Sequence, residues 1–223
     1  DGDGDRIGII DGKGRQVPGD LLTAFLAKDV AARHPGAPIL LDVKSSEAAL
    51  RLVESAGAAA QIWKTGHSHM KKRMKELEAP LAGEMSGHIF IADNYLGFDD
   101  AIYAAVRVIT QMVKGGQSIT EFMDSLPEQH ATPELRIDCP DTVKFDSMEK
   151  IRAHVLSGHD AADVNSIDGV RVRSGDGWWL IRASNTEAAL VARAEAADRT
   201  ALDRLLGDIE TTLAAAGLDW KRP

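Results

Sequence analysis

The sequence has little cysteine, few aromatic residues and no long apolar run, and these shortages exclude several classes of protein. Its single cysteine, Cys139, cannot form an internal disulfide. No apolar run approaches the roughly 18 residues of a membrane-spanning helix. The N-terminal residues 1–3 have neither the basic nor the apolar region of a secretion signal. We therefore expect a cytoplasmic protein with no membrane partner.

Charge and composition narrow the class further. Of the 223 residues, 34 are acidic and 26 are basic, which gives a net charge of −8. Lys and Arg are scattered, so we expect no nucleic-acid partner. With 44% hydrophobic and 27% charged residues, the composition is typical of one large or two small globular domains. The chain begins without Met on alternating aspartates, so we expect it to be part of a longer protein.

The first half alternates short β-type runs with amphipathic helices. Runs at residues 6–10, 38–43 and 60–63 predict strands, and residues 21–30, 45–57 and 71–77 predict helices. In the clearest helix, Asp99 and Asp100 fall in the first turn. Its apolar residues recur at helical spacing: Ile102, Val106, Ile109 and Val113. This alternation favours a mostly parallel sheet covered by helices.

The second half, after a polar stretch at residues 128–133, has a different pattern. A possible strand at 132–137 and a helix at 147–156 precede an alternating strand at 170–173, whose hairpin turn leads into Trp178 and Trp179. A further strand at 189–195 and a closing helix complete the region. The apolar stripe of that helix is Leu202, Leu205, Leu206, Ile209 and Leu213. Hairpin strands with flanking helices predict an α+β domain.

Residues 1–6 place three carboxylates at every second position, separated by glycines. Asp1, Asp3 and Asp5 can therefore converge on a hard cation such as Mg²⁺, and Arg6 fits a site that also holds a phosphate. A calcium-binding EF-hand loop needs Gly at position 6 and Glu at position 12, so it is excluded. A flexible acidic turn is the alternative.

A second polar motif, Gly-Glu-Met-Ser-Gly-His, occupies residues 83–88 between two apolar runs. Glu84, Ser86 and His88 supply an acceptor, a hydroxyl and an imidazole, which suit the vicinal hydroxyls of a sugar. A nucleophile elbow needs Gly two residues before the serine, where this chain has Glu84. An ordinary strand-to-strand turn is the alternative.

A third motif, Arg-Ala-Ser-Asn-Thr-Glu, occupies residues 182–187 between two predicted strands. Its donors, which can wrap a phosphate without a Walker loop, are Arg182, Ser184, Asn185 and Thr186. Arg193 would reinforce this loop or face solvent. A plain turn is the alternative to a phosphate site.

Two further residues follow predicted parallel strands, where α/β proteins place ligand sites. They are Lys44 and His67. A zinc site built from His67, His69 and His88 lacks any supporting ligand spacing. Tryptophans 63, 178 and 179 are expected to pack in the core.

In this order, the three motifs resemble those of the α-D-phosphohexomutase superfamily, most closely its bacterial phosphomannomutase/phosphoglucomutase branch. The resemblance covers essentially the whole chain. Residues 1–6 resemble the metal loop, 83–88 the sugar-recognition loop and 182–187 the phosphate-binding loop of the last domain. Met85 is similar to the residue that mannose and glucose mutases have at this position. Ala188 differs from the family, which usually has proline after Thr-Glu.

The resemblance implies four domains, of which this chain would hold the second half. Residues 1–6 would be the end of domain 2, 7–128 domain 3 with a three-layer α/β/α fold, and 129–223 a smaller α+β domain 4. The family's catalytic phosphoserine lies in domain 1, in a loop resembling Thr-Ala-Ser-His-Asn-Pro. This motif is absent from the sequence, so the resemblance implies a chain that is inactive without the missing N-terminal domains.

The resemblance also implies a reaction and roles for the site residues. The phosphoserine would exchange phosphoryl groups with hexose 1- and 6-phosphates of mannose and glucose, with glucose 1,6-bisphosphate as activator. Asp1, Asp3 and Asp5 would hold Mg²⁺, and Arg6 would contact the transferred phosphoryl group. Lys44, His67 and His88 would line the cleft, either histidine being a candidate proton carrier. The substrate contacts would be Glu84, Ser86 and the 182–187 loop, helped by Arg193.

Two alternatives stay open at this point. A stand-alone phosphosugar-binding module would never have had catalytic domains. A glucosamine or pentose phosphate mutase would share the motifs but take a different sugar.

Overall fold

The computed structural model describes residues 1–222 and divides into two compact units. Unit 1 is Asp1–Leu126, and unit 2 begins at Pro127. Among the described residues, no helix combines the length and apolar character needed to cross a bilayer.

Unit 1 contains six strands and five helices. The strands are β1 (Ile9–Ile10), β2 (Gln16–Val17), β3 (Pro38–Asp42), β4 (Ala59–Trp63), β5 (Leu81–Gly83) and β6 (Ile89–Ile91). The helices are α1 (Gly19–Arg33), α2 (Glu47–Ser55), α3 (His67–Leu77), α4 (Ala101–Gly115) and α5 (Ile119–Asp124).

The main sheet of unit 1 has the order β4-β3-β5-β6, in which β3 is parallel to β4 and β5, and β6 is antiparallel to β5. Alternate side chains of β3 enter opposite cores. Ile39 and Leu41 pack with residues of α1 and α2, whereas Leu40 packs with Met70 and Met74 of α3. The sheet is thus covered on both faces, as the three-layer α/β/α prediction requires.

The predicted strand at residues 6–10 does not join this sheet. Only β1 forms, and it pairs with β2 in a two-stranded hairpin. Asp11 accounts for the difference, because its side chain accepts hydrogen bonds from the backbone N–H groups of Lys13 and Arg15 and turns the chain back at once.

Helix α4 also differs from its prediction. It begins at Ala101, with Asp100 as its N-cap accepting from the N–H of Tyr103. Asp99 therefore lies before the helix rather than in its first turn. The predicted apolar stripe of α4 is exposed, and the helix buries Ala104 and Val108 instead.

Unit 2 is an antiparallel sheet with two helices. Its strands are β7 (His130–Ala131), β8 (Leu135–Asp138), β9 (Val164–Asn165), β10 (Val170–Ser174), β11 (Gly177–Ala183) and β12 (Ala189–Ala196). Its helices are α6 (Asp141–Gly158) and α7 (Arg199–Ala215). The strand order is β7-β12-β11-β10-β9, and β8 also pairs with β12.

The core of unit 2 lies between this sheet and its helices. Trp179 and Ile181 of β11 pack with Ile151 of α6 and with Leu205 and Ile209 of α7. Trp178 and Trp179 are each 1% exposed, as predicted. Trp63 of unit 1 is only half-buried, beneath the guanidinium of Arg73. The α+β prediction for the second half is confirmed.

Candidate functional site

Polar residues of unit 1 gather where parallel strands end. Lys44 follows β3, and His67 opens α3 just after β4. The 84–88 loop follows β5, which is parallel to β3. Because the carboxyl ends of parallel strands meet at one sheet edge, the sequence brings these segments together.

Asp42, at the end of β3, connects these segments and was missed by the motif search. Its Oδ1 accepts from the backbone N–H of Met85 at 3.1 Å and from the hydroxyl of Ser45 at 2.8 Å. Its Oδ2 accepts from the hydroxyl of Thr65 at 3.0 Å. One fully buried carboxylate thus fixes three loops, and an acidic residue closing an otherwise apolar strand was its sequence signal.

The 84–88 loop is a tight turn that lies against the start of α1. The N–H of Gly87 donates to the carbonyl of Glu84 at 3.0 Å, and the N–H of Gly19 donates to the carbonyl of Met85 at 3.1 Å. A Cβ at position 19 would lie 2.2 Å from the carbonyl oxygen of Glu84. Glycine at position 19 therefore permits the close backbone approach that holds the loop.

The Glu84 side chain is fixed at both oxygens. Oε1 accepts from the N–H of Gly66 at 2.7 Å, and Oε2 accepts from the hydroxyl of Ser86 at 3.2 Å. Burial, reinforced by the nearby charge of Asp42, raises the pKa of Glu84. A ligand hydroxyl that donates to this carboxylate would stabilise its ionised form. Ser86 itself is exposed.

The acidic loop at residues 1–6 brings its three carboxylates together. Asp1, Asp3 and Asp5 each offer an oxygen within 4.8 Å of the other two. Nε of Arg6 donates to Oδ2 of Asp1 at 2.6 Å and lies 3.7 Å from Oδ1 of Asp5. The arginine therefore partly neutralises the cluster.

This acidic loop is hydrogen-bonded to the 84–88 loop and to α4. Arg6 forms a β-bridge with His88, and the N–H of Ile7 donates to the carbonyl of Gly87 at 3.1 Å. The N–H of Ala101 donates to the carbonyl of Gly4 at 2.9 Å. The carboxylates are thus held beside the loop that carries Glu84 and His88.

His88 lies between two carboxylates, one of which the motif search did not identify. Its Nδ1 is 3.1 Å from Oδ2 of Asp99 and 3.9 Å from Oδ2 of Asp5. Oδ1 of Asp99 accepts from Nζ of Lys71 at 3.0 Å. Burial tends to raise the pKa of Asp99, but Lys71 and His88 help to outweigh it and hold that pKa below its usual range. No local pattern distinguished Asp99 from an ordinary helix-start residue.

The remaining predicted residues of unit 1 lie close by. The ring of His67 is exposed, and its centre is 6.1 Å from that of His88. Lys44 is 8% exposed, with Nζ 4.0 Å from Oδ2 of Asp42. Within residues 1–222, the groupings suited to one ion are Asp1/Asp3/Asp5 and Asp5/His88/Asp99, and neither includes His67 or His69.

The donor set of the acidic loop fits a hard cation. Oδ1 of Asp5 is buried without a hydrogen-bond partner among the described residues. Nδ1 of His88 is likewise buried, and its approach to Asp99 is not aligned as a hydrogen bond. A buried oxygen without a donor is costly, and three converging carboxylates suit Mg²⁺.

In unit 2, the 182–187 motif forms the turn between β11 and β12. The hydroxyl oxygen of Ser184 accepts from the N–H groups of Thr186 at 3.4 Å and Glu187 at 3.1 Å. Nζ of Lys144, which sequence reasoning missed, donates to the carbonyls of Ser184 at 3.0 Å and Glu187 at 2.9 Å. Asn185 and Thr186 are exposed at the tip of this supported loop.

The two predicted arginines of unit 2 are buried. Nε of Arg182 donates to Oδ2 of Asp168 at 3.0 Å. Arg193 is 8% exposed, so it does not face solvent, and it contacts Glu195 at 3.3 Å and the ring of Trp178 at 5.4 Å. It lies on β12 about 13 Å from the first residue of that strand, at about 3.3 Å per residue. Its contact with the ring of Trp178 joins it to β11 of the sheet.

Comparisons with known proteins agree with the fold and the motifs. The profile described as phosphoglucomutase/phosphomannomutase, alpha/beta/alpha domain III matches residues 18–130. The profile for the C-terminal domain of the same family matches residues 134–212.

Curated relatives match along nearly all of this chain but only part of their own length. A phosphomannomutase/phosphoglucomutase of Pseudomonas putida is 43% identical over 96% of this chain and 46% of its own. A phosphoglucomutase of Neisseria gonorrhoeae is 38% identical over 92% of this chain and 44% of its own. The chain spans about half the length of the curated relatives it matches.

Solved structures share the fold. A phosphoglucomutase/phosphomannomutase family protein of Burkholderia thailandensis is 37% identical with a TM-score of 0.88, covering 98% of this chain and 46% of its own. An Aspergillus fumigatus N-acetylphosphoglucosamine mutase, at 18% identity and a TM-score of 0.65 over 98% of this chain and 51% of its own, supports the fold alone. With both domain profiles matched in order and a motif in each, the chain belongs to the phosphoglucomutase/phosphomannomutase family.

Proposed function

We propose that this chain is the C-terminal half of a phosphohexomutase that interconverts the 1- and 6-phosphates of mannose and glucose through a bisphosphate. The observation that carries the proposal is the docking of the acidic loop on the 84–88 loop. It holds three clustered carboxylates beside the loop that carries Glu84 and Ser86, whose oxygens suit sugar hydroxyls. A cytoplasmic location is part of the proposal.

Phosphoryl transfer needs charge neutralisation and positioning more than covalent chemistry by the protein. Asp1, Asp3 and Asp5 would hold Mg²⁺, which when bound neutralises phosphoryl charge. Arg6 would leave Asp1 to contact the phosphoryl group. Structures of the Aspergillus relative contain magnesium with GlcNAc-6P and, in another complex, glucose 1,6-bisphosphate. By analogy with these complexes, we infer Mg²⁺ as the cofactor and the bisphosphate as a ligand of the same site, with the activator role implied by the family resemblance.

The sugar would be held at the sheet edge of unit 1. Glu84 and Ser86 would receive its hydroxyls, which would offset the burial of the Glu84 carboxylate. Lys44 and His67 would line the cleft. His88, between Asp5 and Asp99, is the better-supported proton carrier, because a carboxylate at Nδ1 leaves Nε2 for transfer.

The phosphate not being transferred would be bound by the 182–187 loop. Its exposed tip offers Asn185 and Thr186, while Ser184 organises the turn from within. Arg182 would add its charge from beneath, where Asp168 holds it. Arg193 would support the strands that carry the loop.

Steady-state mutase assays test the proposal. The full-length protein should convert mannose and glucose 1-phosphates, while this chain alone should show no turnover because its sequence lacks the serine loop. Turnover by this chain alone, or an inactive full-length protein, would refute it. A reading frame that starts near residue 1 would favour the stand-alone phosphosugar-binding module instead. Competition with glucosamine and pentose phosphates in the full-length enzyme would resolve the substrate.

The isolated chain should bind Mg²⁺ poorly. In the isolated chain, the terminal ammonium group of the acidic loop donates to the carbonyl of Arg6, and Nε of Arg6 donates to the carboxylate of Asp1. Both positive charges compete with a cation for the carboxylates, and a chain terminus is poorly ordered. Calorimetry that detects tight stoichiometric Mg²⁺ binding to this chain would contradict this part of the proposal.

A further inference from the structure

Helix α4 carries a stripe of exposed β-branched side chains that the proposed catalytic site does not use. The members of this α4 stripe, with their exposed fractions, are Ile102 at 76%, Val106 at 54%, Ile109 at 61% and Val113 at 78%. Their spacing places all four on one helix face. A continuous apolar face on a soluble protein marks an interaction site more often than chance exposure does.

The surroundings of the α4 stripe are also uncharged. Ala105 and Thr110 flank it on the helix. The charged residues of α4 are Arg107 and Lys114, and Arg107 turns away to hydrogen-bond Asp93 at 2.8 Å. Lys114 is exposed but lies about 100° around the helix from Val113. The stripe itself therefore presents apolar side chains with no charged group between them, which suits an apolar partner surface.

The acidic loop locates the chain that would precede residue 1 in the parent protein. The N–H of Ala101, the first residue of α4, donates to the carbonyl of Gly4. Residues 1–5 therefore lie at the N-terminal end of α4, one residue from the first member of the stripe. The relatives extend well beyond this chain, which covers 46% of the Pseudomonas putida protein, and the first matched profile here is domain III.

The size of the α4 stripe distinguishes between a tethered and a free partner. From Ile102 to Val113 the stripe is about 16 Å long at 1.5 Å per residue. A stable interface between free proteins buries about 800 Å² per partner from roughly 20–30 residues. Four side chains are too few for that, but they suffice for a neighbour on the same polypeptide, whose effective concentration is high.

We propose that the α4 stripe packs against an apolar face of the domain that directly precedes residue 1 in the parent enzyme. This inference rests on the proposed function, because it requires a parent chain with that domain. The packing also anchors the acidic loop, since the first turn of α4 holds Gly4.

The test compares one substitution in two polypeptides. Ile109→Glu is introduced into this chain and into the full-length protein, and thermal unfolding is followed for each. In this chain the melting temperature should change by less than about 1 °C, because the side chain is exposed. In the full-length protein the transition should fall by at least about 3 °C, because a charge would enter an apolar interface.

Two controls match this substitution. Ile109→Leu keeps the apolar surface and should leave both proteins unchanged. Leu96→Glu places the same charge at an exposed apolar residue of unit 1 outside α4, 78% exposed, and should shift both proteins equally little.

Equal and small shifts of Ile109→Glu in both polypeptides would overturn the inference. So would sedimentation showing that this chain dimerises and that Ile109→Glu alone dissociates it, which would make a second copy the occupant. An active full-length enzyme with an unchanged melt would overturn this inference alone. A full-length protein without mutase activity would instead refute the proposed function.

Discussion

Helices α4 and α7 carry the same kind of apolar stripe and have opposite environments. In α7, Leu205, Ile209 and Leu213 are all 0% exposed and pack in the core of unit 2. In α4, Ile109 at the centre of the stripe is 61% exposed. Periodicity therefore identifies the apolar face of a helix, and only the structure shows whether residues of the same chain bury that face.

The different burial of the two stripes follows from what lies on the other side of each helix. Helix α4 has a second apolar face that packs onto unit 1, in which Ala104 and Val108 are buried and Tyr103 and Met112 are partly buried. The side of α7 opposite its stripe is polar and includes Asp203 and Glu210. A helix with one apolar face has one way to pack, whereas α4 has two apolar faces and unit 1 covers only one of them.

Truncating both stripes should give the largest contrast. Leu205→Ala in α7 should cost about 2–5 kcal/mol of unfolding free energy, because it opens a cavity at a fully buried site. Ile109→Ala in α4 should cost less than about 0.5 kcal/mol in this chain, because its side chain already contacts water. Denaturant titration of both variants measures these values, and similar costs would show that α4 is covered.

The inner side of α4 is attached to unit 1 by an ion pair, in which Arg107 donates to the buried carboxylate of Asp93 at 2.8 Å. Burial tends to raise the pKa of Asp93, but hydrogen bonds from Arg33, His34 and Arg107 outweigh it and hold that pKa well below its usual range. Its carboxylate therefore stabilises the fold above about pH 4, the unfolded value, and this contribution is lost as the pH falls toward the folded value.

Asp93→Asn should consequently destabilise unit 1 at neutral pH by about 2 kcal/mol. This is below the loss for a fully buried pair, because Arg33 is 38% exposed and water screens its charge. Unfolding monitored from pH 7 to pH 3 should show the gap between wild type and variant closing with acid. A gap that is constant with pH would mean that the carboxylate charge contributes nothing.

The N-caps of α4 and α7 should contribute similar amounts to stability, unlike their apolar stripes. Asp100 caps α4 by accepting from the N–H of Tyr103 at 2.8 Å, and Asp198 caps α7 by accepting from the N–H of Ala201 at 2.7 Å. Either residue changed to Ala should lose about 1 kcal/mol of capping energy, because capping is local and independent of the buried face. The Asp100 variant also loses the hydrogen bond from the hydroxyl of Tyr95 at 2.6 Å. Denaturant titration in which only the Asp198 variant loses stability would contradict this.

Local patterns predicted much of the fold and of the site. Ser118 and Glu121 form a capping box, which their Ser-x-x-Glu spacing indicates. The alternation of strand and helix patterns in the first half predicted a sheet covered by helices, and β3 is covered on both faces. The Lys44 segment and the 84–88 loop lie at one sheet edge because β3 and β5 are parallel. What local pattern could not supply was the pairing between distant segments. Asp99 lies beside His88, and Lys144 donates to the carbonyl of Ser184. No sequence spacing predicts either contact.

Glu84, in the candidate site, is a buried charged group for which we expect the smallest change in unfolding free energy. Burial and the charge of Asp42 raise its pKa, so the ionised side chain destabilises the fold above about pH 4.5. Glu84→Gln keeps an acceptor for the N–H of Gly66 and removes the charge. It should raise the stability of this chain near pH 7 by roughly 0.5–1 kcal/mol, as expected where function is favoured over stability. The gain should disappear near pH 3, where wild-type Glu84 is uncharged.

Asp203→Asn, at an exposed site on α7, is the control and should leave the unfolding free energy unchanged at both pH values. A destabilised Glu84→Gln variant at pH 7 would show that the carboxylate charge contributes to the fold itself and is not reserved for a ligand.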